Sequence, residues 1–410
     1  MADAAAPALK ARLRRAERGR TLRALALVAP LALFLLFTFF APIGQMLFRA
    51  VHDPILSEAL PDSAAALQAW DGIGAPPEDL LRALVRELPD AFAERRLAAV
   101  AQRLNHEISG FRSLLLSTGR TLAAAPSAPA DPRAALVSVD PRWEDPMHWA
   151  ALRRAAFTIT DFYLLSALDL RRNEHGWVTG VPAEEAVFVA ILGRTLKIAG
   201  AVTLICLALG YPLAYVVATA QARTGNLLMI LILLPFWTSL LVRTSAWVVL
   251  LQNEGIVNGL LLGSGVVDQP VQMIFNRFGV YVAMTHVLLP FMILPLYSVM
   301  KTIDPSTLRA ATSLGAPPST AFRRVYLPQS LPGIGAGGLL VFILAIGYYI
   351  TPALVGGAND QMVSYFIAFY TNRTVNWGLA AALATLLLAA TAVLYAVYAR
   401  IAGTAGVRLG

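Results

Sequence analysis

The chain has 410 residues and a net charge of +8; it is 57% hydrophobic and only 14% charged, with a mean hydropathy of +0.62. A soluble domain is nearer half apolar and a quarter charged, so this composition excludes an ordinary soluble protein and points to the membrane. The positive balance does not indicate nucleic acid, because the basic residues collect beside apolar runs, where they set orientation. The single cysteine, Cys206, excludes an intrachain disulfide framework and a Cys-based metal site.

In chain order, Arg12, Arg14, Arg15, Arg18, Arg20 and Arg23 form a basic N-terminus, 1–23, ahead of 25 uncharged residues from Ala24 to Phe48. A signal core runs to about 7–15 residues and ends in a small-residue cleavage site, so 24–48 is predicted to be a retained first membrane helix. Residues 49–188 are far less apolar. Leu97, Val100, Leu104, Ile108, Phe111 and Leu115 fall at spacings of three and four, predicting one helical face, and a second helix is predicted over Pro146–Leu170. The Ala/Pro segment Ala123–Pro132 reads as a linker between them. The expectation is a small helical insertion that docks a soluble partner, packs over the membrane bundle, or decorates the fold.

Five further spans are predicted near Leu192–Ala222, Leu227–Leu251, Phe278–Met300, Gly333–Val355 and Gly378–Ala399, within a core at 189–402 and a tail at 403–410. In lipid these segments are helical because only a helix satisfies its own amides. The fold class is therefore all-α, with six transmembrane helices and a helical insertion between the first two. Keeping the N-terminal arginines in the cytoplasm, alternation puts Arg223, Lys301, Arg309, Arg323, Arg324, Arg400 and Arg408 on the same side. Both termini are then cytoplasmic and the insertion is outside. Pro235, Pro290, Pro295 and Pro352 are expected to kink helices, in packing or around a path.

The segment between the predicted fourth and fifth spans, 303–328, carries the strongest signal. Asp304 before Pro305 reads as an N-cap with proline at the first helical position. Leu308, Ala311 and Leu314 share a face, Gly315 ends the helix, and a second short helix carries Phe322 and Tyr326 until Pro328 stops it. Ala310, Ala311, Gly315 and Ala316 leave the backbone open to close approach, and Phe322 is a candidate aromatic anchor in a partner's pocket.

This segment resembles the EAA loop of ABC importer permeases. Ala310, Ala311, Gly315, Ala316, Phe322, Leu327 and Pro328 match its pattern, while Arg309 stands where the family usually has glutamate. Leu234–Thr244, Leu289–Tyr297 and Thr351–Gly357 are similar to spans of the spermidine/putrescine-type permeases. The resemblance covers about half the chain. It implies the type I importer permease fold, a bacterial inner-membrane location, and a loop that enters a groove of a cytoplasmic ATPase dimer. It also implies a second permease and a periplasmic substrate-binding protein. ATP and Mg would be bound by the ATPase; this chain lacks a Walker-type glycine-rich loop and is expected to be neither an enzyme nor a binder of a cofactor or metal.

Candidate path residues are Arg243, Tyr348 and Tyr349. An ionisable residue inside a span points to function, although an arginine also snorkels to the interface and tyrosines also pack cores. His286 is expected to hydrogen-bond a neighbouring helix. Polyamine-type relatives commonly have an acid just before the Thr-Pro of the fifth span; here Tyr348 and Tyr349 replace it, where cation–π contact is an alternative. A polyamine is the preferred solute. Another small solute, amino-acid-like or opine-like, remains the alternative. An ion-coupled secondary transporter is a weaker one, because it would need buried ionisable residues.

Overall fold

The computed structural model describes residues 24, 26–125, 129–173 and 176–406. The N-terminal arginines 12–23, the middle of the expected Ala/Pro linker and Arg408 lie outside the described residues. Among the described residues, six helical segments are long and apolar enough to cross a membrane: Ala26–Phe48, Phe188–Thr219, Leu240–Gly263, Arg277–Thr302, Pro318–Gly347 and Trp377–Arg400. The second, fourth and fifth pack together around one core that includes Val202, Cys206, Met284, Leu288, Met292 and Val341. Cys206 is buried in that core, its thiol 3.8 Å from the Thr285 carbonyl.

Close packing of the fourth and fifth spans depends on glycine. A Cβ on Gly337 would lie 2.9 Å from Met292 Sδ and 3.0 Å from the Met292 carbonyl oxygen, and one on Gly333 would lie 3.2 Å from Leu296 Cα. The two glycines are one helical turn apart, so they form a small-residue stripe that lets two backbones meet without a hydrophobic driving force in lipid.

Two expected spans are divided differently. The third is not continuous over Leu227–Leu251. Ala222–Leu233 ends in a 3-10 turn, Leu234–Trp237; Thr238 is extended, and Leu240–Leu251 starts afresh with the Ser239 hydroxyl accepting from Val242 N–H. Pro235 removes a backbone donor at this point, and Ser239 supplies the cap that lets a new helix begin. The fifth runs over Pro318–Gly347 instead of Gly333–Val355, and Ile350–Val355 is a separate short helix. Pro352 has no N–H for the Tyr348 carbonyl four residues back, and the helix parts at Tyr348.

Pro328 does not stop the second helix of the 303–328 loop. The chain widens into a π-turn, Phe322–Tyr326, with Leu327 N–H donating to the Phe322 carbonyl, and continues into the fifth span. Leu36–Phe40 is a second π-turn, also two residues ahead of a proline, Pro42. Widening the turn before the residue that cannot donate keeps both helices running.

The insertion has its own hydrophobic core, built from Leu80, Leu84, Leu88, Leu97, Leu104, Phe111 and Leu115 among others. The predicted face at 97–115 is buried, but it belongs to two helices, Leu97–Asn105 and Phe111–Ala123. Gly110 breaks them at φ +88°, and the Asn105 side chain accepts from Gly110 N–H at 3.0 Å. Only glycine enters this conformation at little cost. The helix expected over Pro146–Leu170 is likewise two, Pro146–Ala156 and Phe162–Ala167, separated where Ile159 bridges to His52. Among the described residues, the short antiparallel strand pair Leu170–Arg172 with Val178–Gly180 is the exception to all-α structure.

A third core joins the insertion to the spans through Ala50, Tyr163, Ala167, Ile191, Val363 and Leu379. At its edge Arg103 is buried and paired with Asp53, and the Tyr163 hydroxyl donates to the same carboxylate at 3.0 Å. Burial opposes the Arg103 charge, but Asp53, Tyr163 and Glu107 together raise its pKa above the ordinary value. Burial pushes the Tyr163 hydroxyl well above its usual range, so it stays a hydrogen-bond donor.

Candidate functional site

The loop between the fourth and fifth spans is a helix, a glycine turn and a second helix. Asp304 caps Pro305–Ser313 by accepting from Ser306 N–H at 2.8 Å. That hydrogen bond holds the Asp304 carboxyl below the usual carboxylate range. Gly315 sits at φ +87°. Gly315 N–H bonds the Thr312 carbonyl at 3.0 Å and Ala316 N–H the Ala311 carbonyl at 3.1 Å, which satisfies two carbonyls of the last turn.

Side chains sort into two faces. Leu308 packs against the bundle core. Arg309, Ala310 and Gly315 are exposed, and Leu314 is 89% exposed. Ala311 and Ala316 are half-buried between the faces. Leu314 thus stands almost fully exposed beside small residues, although the spacing placed it on one face with the packed Leu308.

Phe322 does not project outward. Its ring stacks on Tyr326 at 5.6 Å and meets Tyr215 edge-on at 5.8 Å and Tyr211 at 6.1 Å. These are residues of the second span and of the helix leading into the fifth, so Phe322 ties the loop to the bundle. Tyr211 is fixed in turn by a 2.9 Å hydrogen bond between its hydroxyl and that of Ser330. Leu327 and Pro328 lie in the continuous fifth-span helix and not at a loop end.

A second constellation lies where the two helix breaks face each other. Thr244, beyond the break at Thr238, and Thr351, beyond the break at Tyr348, are buried with hydroxyls 3.2 Å apart. Arg243 adjoins Thr244 in the chain, and Tyr348 precedes Thr351 by three residues, so the hydroxyl contact brings the two segments together. His286 Nδ1 accepts from Trp247 Nε1 at 3.1 Å, as expected of a histidine bonded to a neighbouring helix. The segments that carry Arg243 and Tyr348 are thus brought together, whereas Tyr349 is 42% exposed. Discontinuous helices meeting at depth are where membrane transporters place solute and ion sites. Pro235 with Ser239, and Pro352 after Tyr348, were the sequence signals for this meeting.

The family described as "Binding-protein-dependent transport system inner membrane component" matches residues 210–403, covering the glycine turn and both breaks. The chain is 36% identical over 214 residues to the spermidine/putrescine transport system permease protein PotB of Haemophilus influenzae, covering 52% of this chain and 75% of that protein. It is 34% identical over 216 residues to PotB of Escherichia coli K12, covering 53% and 78%. Among solved structures it is similar to a chain of the bacterial alginate ABC transporter in complex with alginate pentasaccharide-bound periplasmic protein. That likeness has TM-score 0.44 and 16% identity and covers 52% of this chain and 77% of the other. This chain belongs to the family of inner-membrane permease components of binding-protein-dependent transport systems.

Proposed function

We propose that this permease forms half of the translocation path of an ATP-driven importer for polyamines of the spermidine/putrescine type. Identity of 34–36% with PotB proteins supports the solute class. The observation that carries the coupling role is the exposed face of Arg309, Ala310, Leu314 and Gly315 on a capped helix–glycine–helix loop. Small residues admit a partner's surface to the backbone, and Leu314 gives it an apolar knob. The partner is a cytoplasmic ATPase dimer that binds ATP and Mg. The loop and both termini then lie in the cytoplasm, and the insertion at 49–188 is a periplasmic domain that faces the substrate-binding protein. A second permease completes the path, and Arg243 and Tyr348 stand at its centre.

The test is reconstitution of this chain with its companion permease, the ATPase and the binding protein in proteoliposomes. ATP-dependent uptake of labelled spermidine is expected, along with loss of ATPase copurification in Leu314→Asp. Uptake driven by an ion gradient without the ATPase would reject the importer reading. ATP-dependent uptake of a different solute, with none of spermidine or putrescine, would reject the polyamine assignment alone.

A further inference from the structure

Arg243 is an incomplete site. Its Nε and Nη1 are enclosed by protein yet have no hydrogen-bond acceptor among the described residues. His286 Nδ1 is already engaged by Trp247. The six candidate spans contain one acid, Glu254; it is exposed and eleven positions from Arg243, about 16 Å along a helix. Asp360, beyond the fifth span, is paired with Arg277 at 2.9 Å.

Depth makes this need strict. His286, hydrogen-bonded to Trp247 one helical turn after Arg243, lies nine residues inside the span that starts at Arg277, about 14 Å from that end. The hydrocarbon core is about 30 Å thick, so this is near its middle and out of reach of a lipid headgroup. An enclosed guanidinium at that depth requires an anionic acceptor. The flank beside it is open: Leu241, Val242 and Val249 are 55%, 62% and 54% exposed.

We propose that Arg243 is completed by a carboxylate from the companion permease, packed against this open flank. Charge complementarity selects the partner: the missing group is a buried acid, and the candidate spans of this chain offer none at that depth. The inference extends the reading above in one respect that rests on it. A polyamine passing a bare arginine would be repelled, and no acid of this chain waits for it at that depth. The companion's carboxylate stays paired with Arg243, so that its positive charge is screened from the ammonium groups of a passing solute.

The experiment uses the full complex with its ATPase. Each intramembrane Asp or Glu of the companion is replaced by its amide, alone and together with Arg243→Gln, and assembled complex is quantified after detergent extraction. One companion acid is expected to lower the yield about tenfold when replaced alone, because Arg243 is left buried without an acceptor; adding Arg243→Gln should restore most of it. Strictly additive losses for every acid would overturn the pairing. It would also be overturned by an anionic solute, glutamate as probe, whose stimulation of ATPase activity is abolished by Arg243→Gln in the absence of any such coupling. Spermidine stimulation of the wild-type ATPase is read separately: its absence beside intact coupling removes the polyamine assignment and leaves the pair standing.

Discussion

Tyr163 of the insertion lies flat against Gly378 at the start of the sixth span, so close that a Cβ on the glycine would fall 2.4 Å from two atoms of the ring. The same tyrosine donates to Asp53, the partner of buried Arg103. One aromatic side chain therefore packs against the bundle and is anchored within the insertion by a polar contact.

Gly378→Ala is expected to destabilise that junction by about 1–3 kcal/mol, since neither ring nor backbone has room to yield. Limited proteolysis within residues 49–188 should accelerate, with the bundle left intact. Gly193→Ala is the control: its Cβ meets nothing within 4 Å, and in a helix interior alanine favours folding by about 1 kcal/mol. Equal protease sensitivity in the two variants would remove the junction's special role.

Breaking the Arg103–Asp53 pair from one side should be far worse than removing both members. Arg103→Met leaves Asp53 buried without its cation, and a loss of about 3–5 kcal/mol is expected. Arg103→Met with Asp53→Asn should recover a large part, as thermal unfolding of the detergent-solubilised protein would reveal.

At the loop, Gly315→Val meets no steric obstacle, because open space surrounds the Cβ position. Its cost is purely conformational, about 1–2 kcal/mol for a left-handed residue. Gly315→Asn should be tolerated better. Transport should fall in the order Gly, Asn, Val, and an unchanged rate in the valine variant would argue against a fixed turn.

The Asp304 cap carries a pH signature. Its folded pKa is depressed by the Ser306 N–H, so the stabilisation is present above the ordinary carboxylate pKa and is lost as pH falls through the depressed value. Coupling between ATPase and transport is therefore expected to be independent of this group from neutral pH down to about 5. Asp304→Asn should keep the cap and Asp304→Ala should lose it, measured as ATPase activity per solute imported.

Much of this molecule was legible in its residues. Asp304–Pro305 and Gly315 specify their loop through local chemistry alone, and the leucines at 97–115 are buried as their spacing required. What was not legible is the fate of each proline. Pro328 and Pro42 follow π-turns and the helices run on. Pro212, Pro290 and Pro295 stay inside helices, while Pro235 and Pro352 accompany breaks. A proline announces a missing donor, but the surrounding packing decides whether the chain widens, bends or parts. Phe322 was misplaced for a related reason: an aromatic residue on a short helix fits a partner's pocket or a nest of tyrosines equally well, and only the second span shows which.

The π-turn at Phe322–Tyr326 has a mechanical meaning. Because the helix does not stop at Pro328, the segment from Pro318 to Gly347 is one rod of 30 residues, about 45 Å long. Its near end bears the exposed loop and its far end is the break at Tyr348, opposite Arg243. On the reading proposed above, a tilt imposed on the loop would need no relay of side chains to reach the break at Tyr348: it would travel as a lever's swing, with the close contacts of Gly333 and Gly337 as the fulcrum on the fourth span.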